Sequence, residues 1–315
     1  MNSFLRKISS QENINGELNK ILNHKNFANA YIFSGPEKLG KKETALNFIT
    51  EIMNFNNSNL VTMKRLIENN HPDFLLVEPS YLINGKLITN AEIDTNSINK
   101  NKALIRVDQV RKIRIFLSRK SIESDRKFIL INDAHLLNES ASNCLLKTLE
   151  EPSNGLFILL TTDINLLLET IKSRCQQIRF HPFSNEKLIT EFQNLTHDID
   201  NTIIETLVNI SNGSPGQLHK NIKFWKALSD NIKKEITYPP QEFIKALLLA
   251  KAITDELDLV LQKFILNYMQ YCWWRDCNNS ISINILEEIQ TNLKNNISPR
   301  LSWEAGLLKI VINNK

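Results

Sequence analysis

The sequence predicts a parallel α/β domain of the phosphate-loop type, followed by a small helical lid and an all-α C-terminal domain. Three observations predict it. Five short apolar runs alternate with helically spaced segments before Pro182. The octapeptide Gly35-Pro36-Glu37-Lys38-Leu39-Gly40-Lys41-Lys42 sits between the first run and the first helix. After Pro182 the strand signal disappears. Strands alternating with helices imply a parallel sheet with right-handed crossovers. A chain of 315 residues holds about two domains, or three if one is small. Boundaries are expected at 1–182, 183–230 and 231–315.

The apolar runs are 30–34, 74–78, 128–131, 156–161 and 176–180. The second, third and fourth are almost continuously apolar, as strands covered on both faces require. One helix starts at Lys41 and carries Phe48 and Ile52. Another spaces Val107, Val110, Ile113 and Leu117 at three and four. A third runs from Asn138 through Ala141, Leu145 and Leu149 until Pro152 stops it. A fourth is expected from Asp163 as N-cap, with Leu166, Leu167, Thr170 and Ile171 on one face. Beyond Pro182, Leu188, Ile189 and Phe192, then Ile203, Ile204, Leu207 and Val208, describe amphipathic helices. Gly213-Ser214-Pro215-Gly216 is a sharp break, and Tyr238-Pro239-Pro240 a linker. Leu257 to Cys272 recur as a two-sided apolar helix. In the last helix, Leu301, Ala305, Leu308 and Ile312 are in phase, the face expected to be buried.

The net charge of +4 permits weak contact with nucleic acid or acidic partners and is no footprint of a dedicated DNA binder. The abundance of Asn, Ile and Lys fits AT-rich coding. Cys144, Cys175, Cys272 and Cys277 are expected to be reduced thiols; the C-x4-C spacing of the last two has no second pair or His cluster to complete a zinc site. The N-terminus lacks an apolar signal region, and no apolar run reaches membrane-span length. A soluble cytoplasmic protein without membrane contact is expected.

The octapeptide departs from G-x-x-x-x-G-K-[ST]. In that motif, backbone N–H groups and a helix N-terminus cradle phosphates, and the final hydroxyl ligates magnesium. Gly35, Gly40 and Lys41 are in place, but Lys42 replaces the hydroxyl, and an ammonium cannot ligate a cation. Lys38 occupies a position where glycine eases a tight turn. Thr44, two residues on, points to another face of the helix. The second site follows the third apolar run, where phosphate-loop ATPases carry Asp-Glu for magnesium and water. Here Asn132 is neutral, and Asp133 is a methylene shorter than Glu.

These residues belong to a longer resemblance. Ala30 to Pro36, the block Asn132-Asp133-Ala134-His135-Leu136-Leu137, the run Asn143-Cys144-Leu145-Leu146-Lys147-Thr148-Leu149-Glu150-Glu151-Pro152, Ser173-Arg174-Cys175, Gly213 to Gly216 and the stretch 295–308 are similar to the motifs of bacterial clamp-loader subunits. The resemblance covers most of the chain and implies an AAA+ domain, a helical lid and a collar domain that joins subunits into a ring. It implies tau/gamma and delta subunits as partners, with the sliding clamp and primed DNA reached through the complex.

Against the ATP-hydrolysing tau/gamma members, Lys42, Asn132 and Asp133 are departures, and Gly216 stands where those members carry a lid arginine. Thr161 or Thr162 is a candidate polar sensor. The resemblance assigns Arg174 a role in trans, on the nucleotide of a neighbouring subunit; by itself the residue also reads as a cation capping a helix C-terminus. The expectation is a non-hydrolysing subunit with no required cofactor, weak ATP or ADP binding at Gly35, Gly40 and Lys41, and no metal. Zinc is not expected, because the stretch 52–71, where the family often carries a four-cysteine module, has no cysteine. Two alternatives stay open: an active ATPase, and a scaffold with no catalytic contribution. Arg111, Lys112, Arg114, Arg119 and Lys120 form a basic run that either meets DNA phosphates or is a solvated helix face. Trp273-Trp274 reads as packing before base stacking.

Overall fold

The computed structural model describes residues 12–54, 63–83, 86–89, 103–150, 154–196, 198–277, 280–295 and 297–313. The chain divides into two compact units, Met1–Pro182 and Phe183–Lys315.

The first unit is a five-stranded parallel sheet in the order β2-β5-β6-β1-β7, with β1 Ala30–Ser34, β2 Phe74–Val77, β5 Lys127–Ile131, β6 Gly155–Thr161 and β7 Gln176–Arg179. These are the five apolar runs. β1, β5 and β6 are buried along their whole length, which is why they lack polar alternation. Several elements carry no strong sequence signal, two of them notable. One is the N-terminal helix α1, Glu12–His24, which buries Ile14 and Leu18. The other is a hairpin of β3, Ser80–Ile83, with β4, Lys86–Thr89.

Helices α2 (Lys41–Asn54), α3 (Met63–Ile67), α4 (Val107–Ser118) and α5 (Glu139–Glu150) supply the cover. Val110, Ile113, Ala141 and Leu145 close over Ile32, Ile129, Ile131, Phe157 and Leu159. Each fully buried Val, Ile, Leu or Phe among them contributes about 1.5–3 kcal/mol. Asn138 caps α5, its Oδ1 accepting from the Ala141 N–H at 2.9 Å. Asp73 is wholly buried at the start of β2, and its carboxylate accepts the backbone N–H groups of Ile122, Glu123 and Ser124 at 2.7–3.0 Å. That satisfies a charge that burial would otherwise penalise heavily.

The helix expected from Asp163 is instead broken. Asp163 accepts from the N–H of Asn165, two residues on, and tightens 164–166 into a 3₁₀ turn. Leu167 and Leu168 are extended before α6, Glu169–Lys172. Leu167 and Ile171 are buried as expected, but Leu166 is 62% exposed.

The second unit is all helical: α7 Asn185–Thr196, α8 Asn201–Asn209, α9 Pro215–Ala227, α10 Asp230–Glu235, α11 Phe243–Glu256, α12 Leu259–Cys277, α13 Ser280–Lys294 and α14 Pro299–Asn313. Ser214 caps α9 and Pro215 opens it, as the break in sequence implies. Helices on the two sides of the Tyr238-Pro239-Pro240 linker share this unit. Arg275 donates to the Thr206 hydroxyl at 3.0 Å, and the Trp225 and Tyr268 rings lie 4.7 Å apart. Trp273 is buried with its indole N–H on the Ile236 carbonyl, whereas Trp274 is exposed.

The last helix buries a different face from the one expected. Trp303, Gly306, Leu307, Ile310 and Val311 are buried, while Leu301 and Ile312 are each 61% exposed. The helix is apolar on two sides, and Gly306 decides between them. A Cβ there would come within 2.4 Å of Ile289 Cδ1, so its absence lets α13 pack onto this face. Among the described residues no helix is long and apolar enough to cross a membrane.

Candidate phosphate-loop site and surface arginine

In a parallel sheet the crevice at the carboxyl ends of the strands is the natural ligand site. The turns after β1, β2, β5 and β6 all open on that edge, and they carry residues 35–42, Glu78, Asn132 to His135, and Thr161 with Thr162. The loop has the backbone of a phosphate cradle. Gly35 has φ +147°, Lys38 +58° and Gly40 +83°, and α2 opens at Lys41. Lys38 therefore holds a left-handed conformation that glycine adopts freely and a lysine does not, at about 1–2 kcal/mol. Gly35 has a second reason to be glycine. A Cβ on it would lie 2.3 Å from the Phe180 carbonyl oxygen, at the end of β7.

The charges of the cradle are satisfied from within. Lys41 is buried, and its ammonium donates to the carbonyls of Gly35 and Pro36, folding back on the loop it would use to hold phosphate. Burial pulls its pKa down, partly opposed by Asp133 and Glu37. Lys42 Nζ lies 2.8 Å from Glu78 Oε1. Where a magnesium ion would be ligated, a tethered ammonium and a carboxylate neutralise each other. The acid pair is equally altered. Asp133 is left-handed, with φ 49° and ψ 50°. Its carboxyl is pushed above the ordinary carboxylate range chiefly by burial, with His135 opposing. The Asn132 amide donates to its Oδ2 at 3.3 Å. Thr44 is buried. Thr161 is fully buried and spends its hydroxyl on the Asp163 carbonyl at 2.8 Å, while the Thr162 hydroxyl lies 3.5 Å from His135 Nε2. These residues fit a phosphate cradle in outline and do not fit a divalent metal. Among the described residues no group of three or more His, Cys, Asp or Glu is arranged to hold a metal ion. The zinc expectation for 52–71 partly concerns residues 55–62, outside the described residues.

Arg174 lies elsewhere. It follows α6 and directly precedes β7, whose Gln176 pairs with Tyr31 in parallel register. Gly35 is four residues further along β1, about 13 Å at the strand rise. Arg174 is therefore at the opposite end of the parallel strands from its own chain's phosphate loop. Its Nη1 donates to the Thr170 carbonyl at 2.8 Å and its Nη2 to Glu150 Oε1 at 2.6 Å. The arginine side chain is 37% exposed and that of Glu150 51%. Both the helix-capping contact and a surface position are present. Glu78 and Glu150 are the partners that sequence reading passes over. Each is an ordinary polar end to an apolar segment until the fold brings a cation to it.

In the basic run, Arg111 pairs with Asp108 and Lys127 is buried on the Phe116 carbonyl, but Lys112, Arg114, Arg119 and Lys120 are exposed. The Cys144 and Cys175 thiols are free and pack against the core, and burial raises that of Cys175 to about 12.

A family profile described as DNA polymerase III, delta subunit, matches residues 10–184, more than half of the chain. The chain belongs to this family. A second profile, the C-terminal domain of cyanobacterial DNA polymerase III delta prime, matches residues 187–310. The delta-prime subunit of Bacillus subtilis is 28% identical over 214 residues, covering 65% of this chain and 58% of that one. The delta-prime subunit of Pseudomonas aeruginosa is 31% identical over 157 residues, covering 48% and 42%. The Bacillus subtilis tau subunit is 31% identical over 183 residues, covering 58% of this chain and 30% of that one. The chain thus spans well under two thirds of these relatives. A crystal structure of a DNA polymerase III gamma subunit-related protein from Thermotoga maritima shares the fold, with a TM-score of 0.52 and 15% identity over 95% of this chain and 99% of that one. These matches agree with a parallel sheet domain followed by helices.

Proposed function

We propose that the chain is the delta-prime-like, non-hydrolysing subunit of a bacterial clamp loader, and that it lends Arg174 to the nucleotide site of a neighbouring tau/gamma subunit. The observation that carries this is the placement of Arg174. It is a little over one third exposed, at the end of the strands away from its own loop, so any phosphate it meets belongs to another chain. The altered loop supports the same reading, since Lys42 is paired with Glu78 where a metal ligand belongs. Nucleotide binding by this chain is then dispensable. Gly35, Gly40 and Lys41 hold phosphate only weakly, after Lys41 gives up its two loop carbonyls. The helical unit carries exposed apolar residues, among them Ile244, Leu248, Leu301 and Ile312, which support assembly with tau/gamma and delta subunits. The ring so formed would open a sliding clamp and place it on primed DNA in the cytoplasm.

The test is ATP turnover by the ring rebuilt with Arg174→Ala. An arginine finger contributes about 10³-fold or more at the site it serves. The variant should assemble normally, and the site it faces should slow by about that factor. A ring that turns over at the wild-type rate removes the role. It would favour the scaffold reading, which the Glu150–Arg174 contact within one chain also suits. Magnesium-dependent hydrolysis by the isolated chain would favour an active ATPase.

A further inference from the structure

We propose that Glu150 is the positioning residue for Arg174, so that the unit presented to the neighbouring subunit is a guanidinium already held in one orientation. The inference rests on the donated-arginine reading above.

Glu150 is the last residue of α5. A carboxylate at a helix C-terminus opposes the helix dipole, so α5 gains nothing from it locally. Its charge is met instead by Arg174 Nη2 at 2.6 Å, across 24 residues of chain. The second anchor, the Thr170 carbonyl on Nη1 at 2.8 Å, comes from a different helix. Two acceptors on two elements, one for each terminal nitrogen, set both the reach and the plane of the guanidinium. Two of its five N–H groups are engaged, and three are left for phosphate oxygens. The site is on the surface, where an untethered arginine side chain samples many rotamers and a phosphate contact must first immobilise it. A group fixed before the reaction needs no reorganisation when charge develops on the phosphate. An ordinary surface ion pair would hold the fold slightly and leave turnover untouched.

The experiment uses the full ring with its tau/gamma and delta partners and follows single-turnover ATP hydrolysis. Arg174→Ala is measured first, then Glu150→Ala, Glu150→Gln and the double variant, with Glu68→Ala as a control in a remote exposed pair. Glu150→Ala should lower kcat about 10-fold with the KM for ATP unchanged, the signature of lost preorganisation without lost binding. Glu150→Gln keeps an acceptor oxygen and should recover most of the rate. The double variant should be no slower than Arg174→Ala alone, because the glutamate acts only through the arginine. Should the alanine variant fail to assemble, Glu150→Asp, too short to keep the 2.6 Å contact, supplies the same reading. A wild-type or faster rate in Glu150→Ala overturns the proposal, as does a double variant slower than Arg174→Ala. The two readings fail separately. Normal turnover in Arg174→Ala defeats the donated arginine itself, whereas a slow Arg174→Ala beside a wild-type Glu150→Ala defeats only the positioning role.

Discussion

Gly35→Ala separates a glycine kept for phosphate from one kept for packing. A Cβ at this position would stand 2.3 Å from the Phe180 carbonyl oxygen and 2.9 Å from Phe180 Cβ. Neither neighbour can swing aside. The Phe180 N–H is bonded to the Ser34 carbonyl at 2.7 Å, and its ring packs 5.4 Å from that of Phe33. The φ of +147° adds strain for any side chain. Overpacking of about 1–3 kcal/mol and backbone strain of a similar size give a loss of about 4 kcal/mol. In a unit spanning Met1–Pro182 this lowers the melting temperature by about 8–16 °C. Urea unfolding of the full chain measures it: the transition of the sheet unit should move to lower urea with its slope preserved. Gly40→Ala is the comparison. Its nearest atom would be 4.0 Å away, so only the φ of +83° opposes it, and it should cost about 1 kcal/mol. A loss below about 1 kcal/mol for Gly35→Ala would refute the packing argument.

Two further outcomes follow from the loop. The Lys42–Glu78 pair is about one third exposed on each side, so a double-mutant cycle should give a coupling of only about 0.5–1 kcal/mol, falling as salt is raised. No coupling at low salt would mean that the two charges do not meet in solution. Asp133→Asn should stabilise the chain at neutral pH. Burial raises the folded-state pKa of Asp133 above its unfolded value, so the folded state keeps a proton that the unfolded chain has released. Stability therefore falls as pH rises through the window between the two values, and the cost is fully present above it. Asparagine removes that charge and tolerates the left-handed backbone at 133. Melting curves from neutral pH downward should show the variant's advantage shrinking to nothing below about pH 4. An advantage independent of pH would mean that the charge is not its source.

The sheet was readable because its inner strands β1, β5 and β6 are covered on both faces. Such a strand has to be apolar throughout, and the run Phe128 to Ile131 can hardly be anything else. The hairpin at 80–83 and 86–89 is not legible in the sequence because two short, partly polar strands look like loop. The last helix shows the limit of periodicity. Leu301, Ala305, Leu308 and Ile312 form as good a stripe as the one that is buried. A missing side chain at Gly306, facing Ile289, chose the other.

The same division runs through the site. Local chemistry alone established that Lys42 cannot ligate a metal and that Asn132 is no acid, because those facts belong to the side chains themselves. Where charges go depends on what distant segments bring near them. That Lys42 meets Glu78, and that Arg174 rests on Glu150 at the strand ends away from the loop, were decided by the sheet order and its crossovers. Residues 24 to 36 positions apart become neighbours only when strands laid side by side put them there.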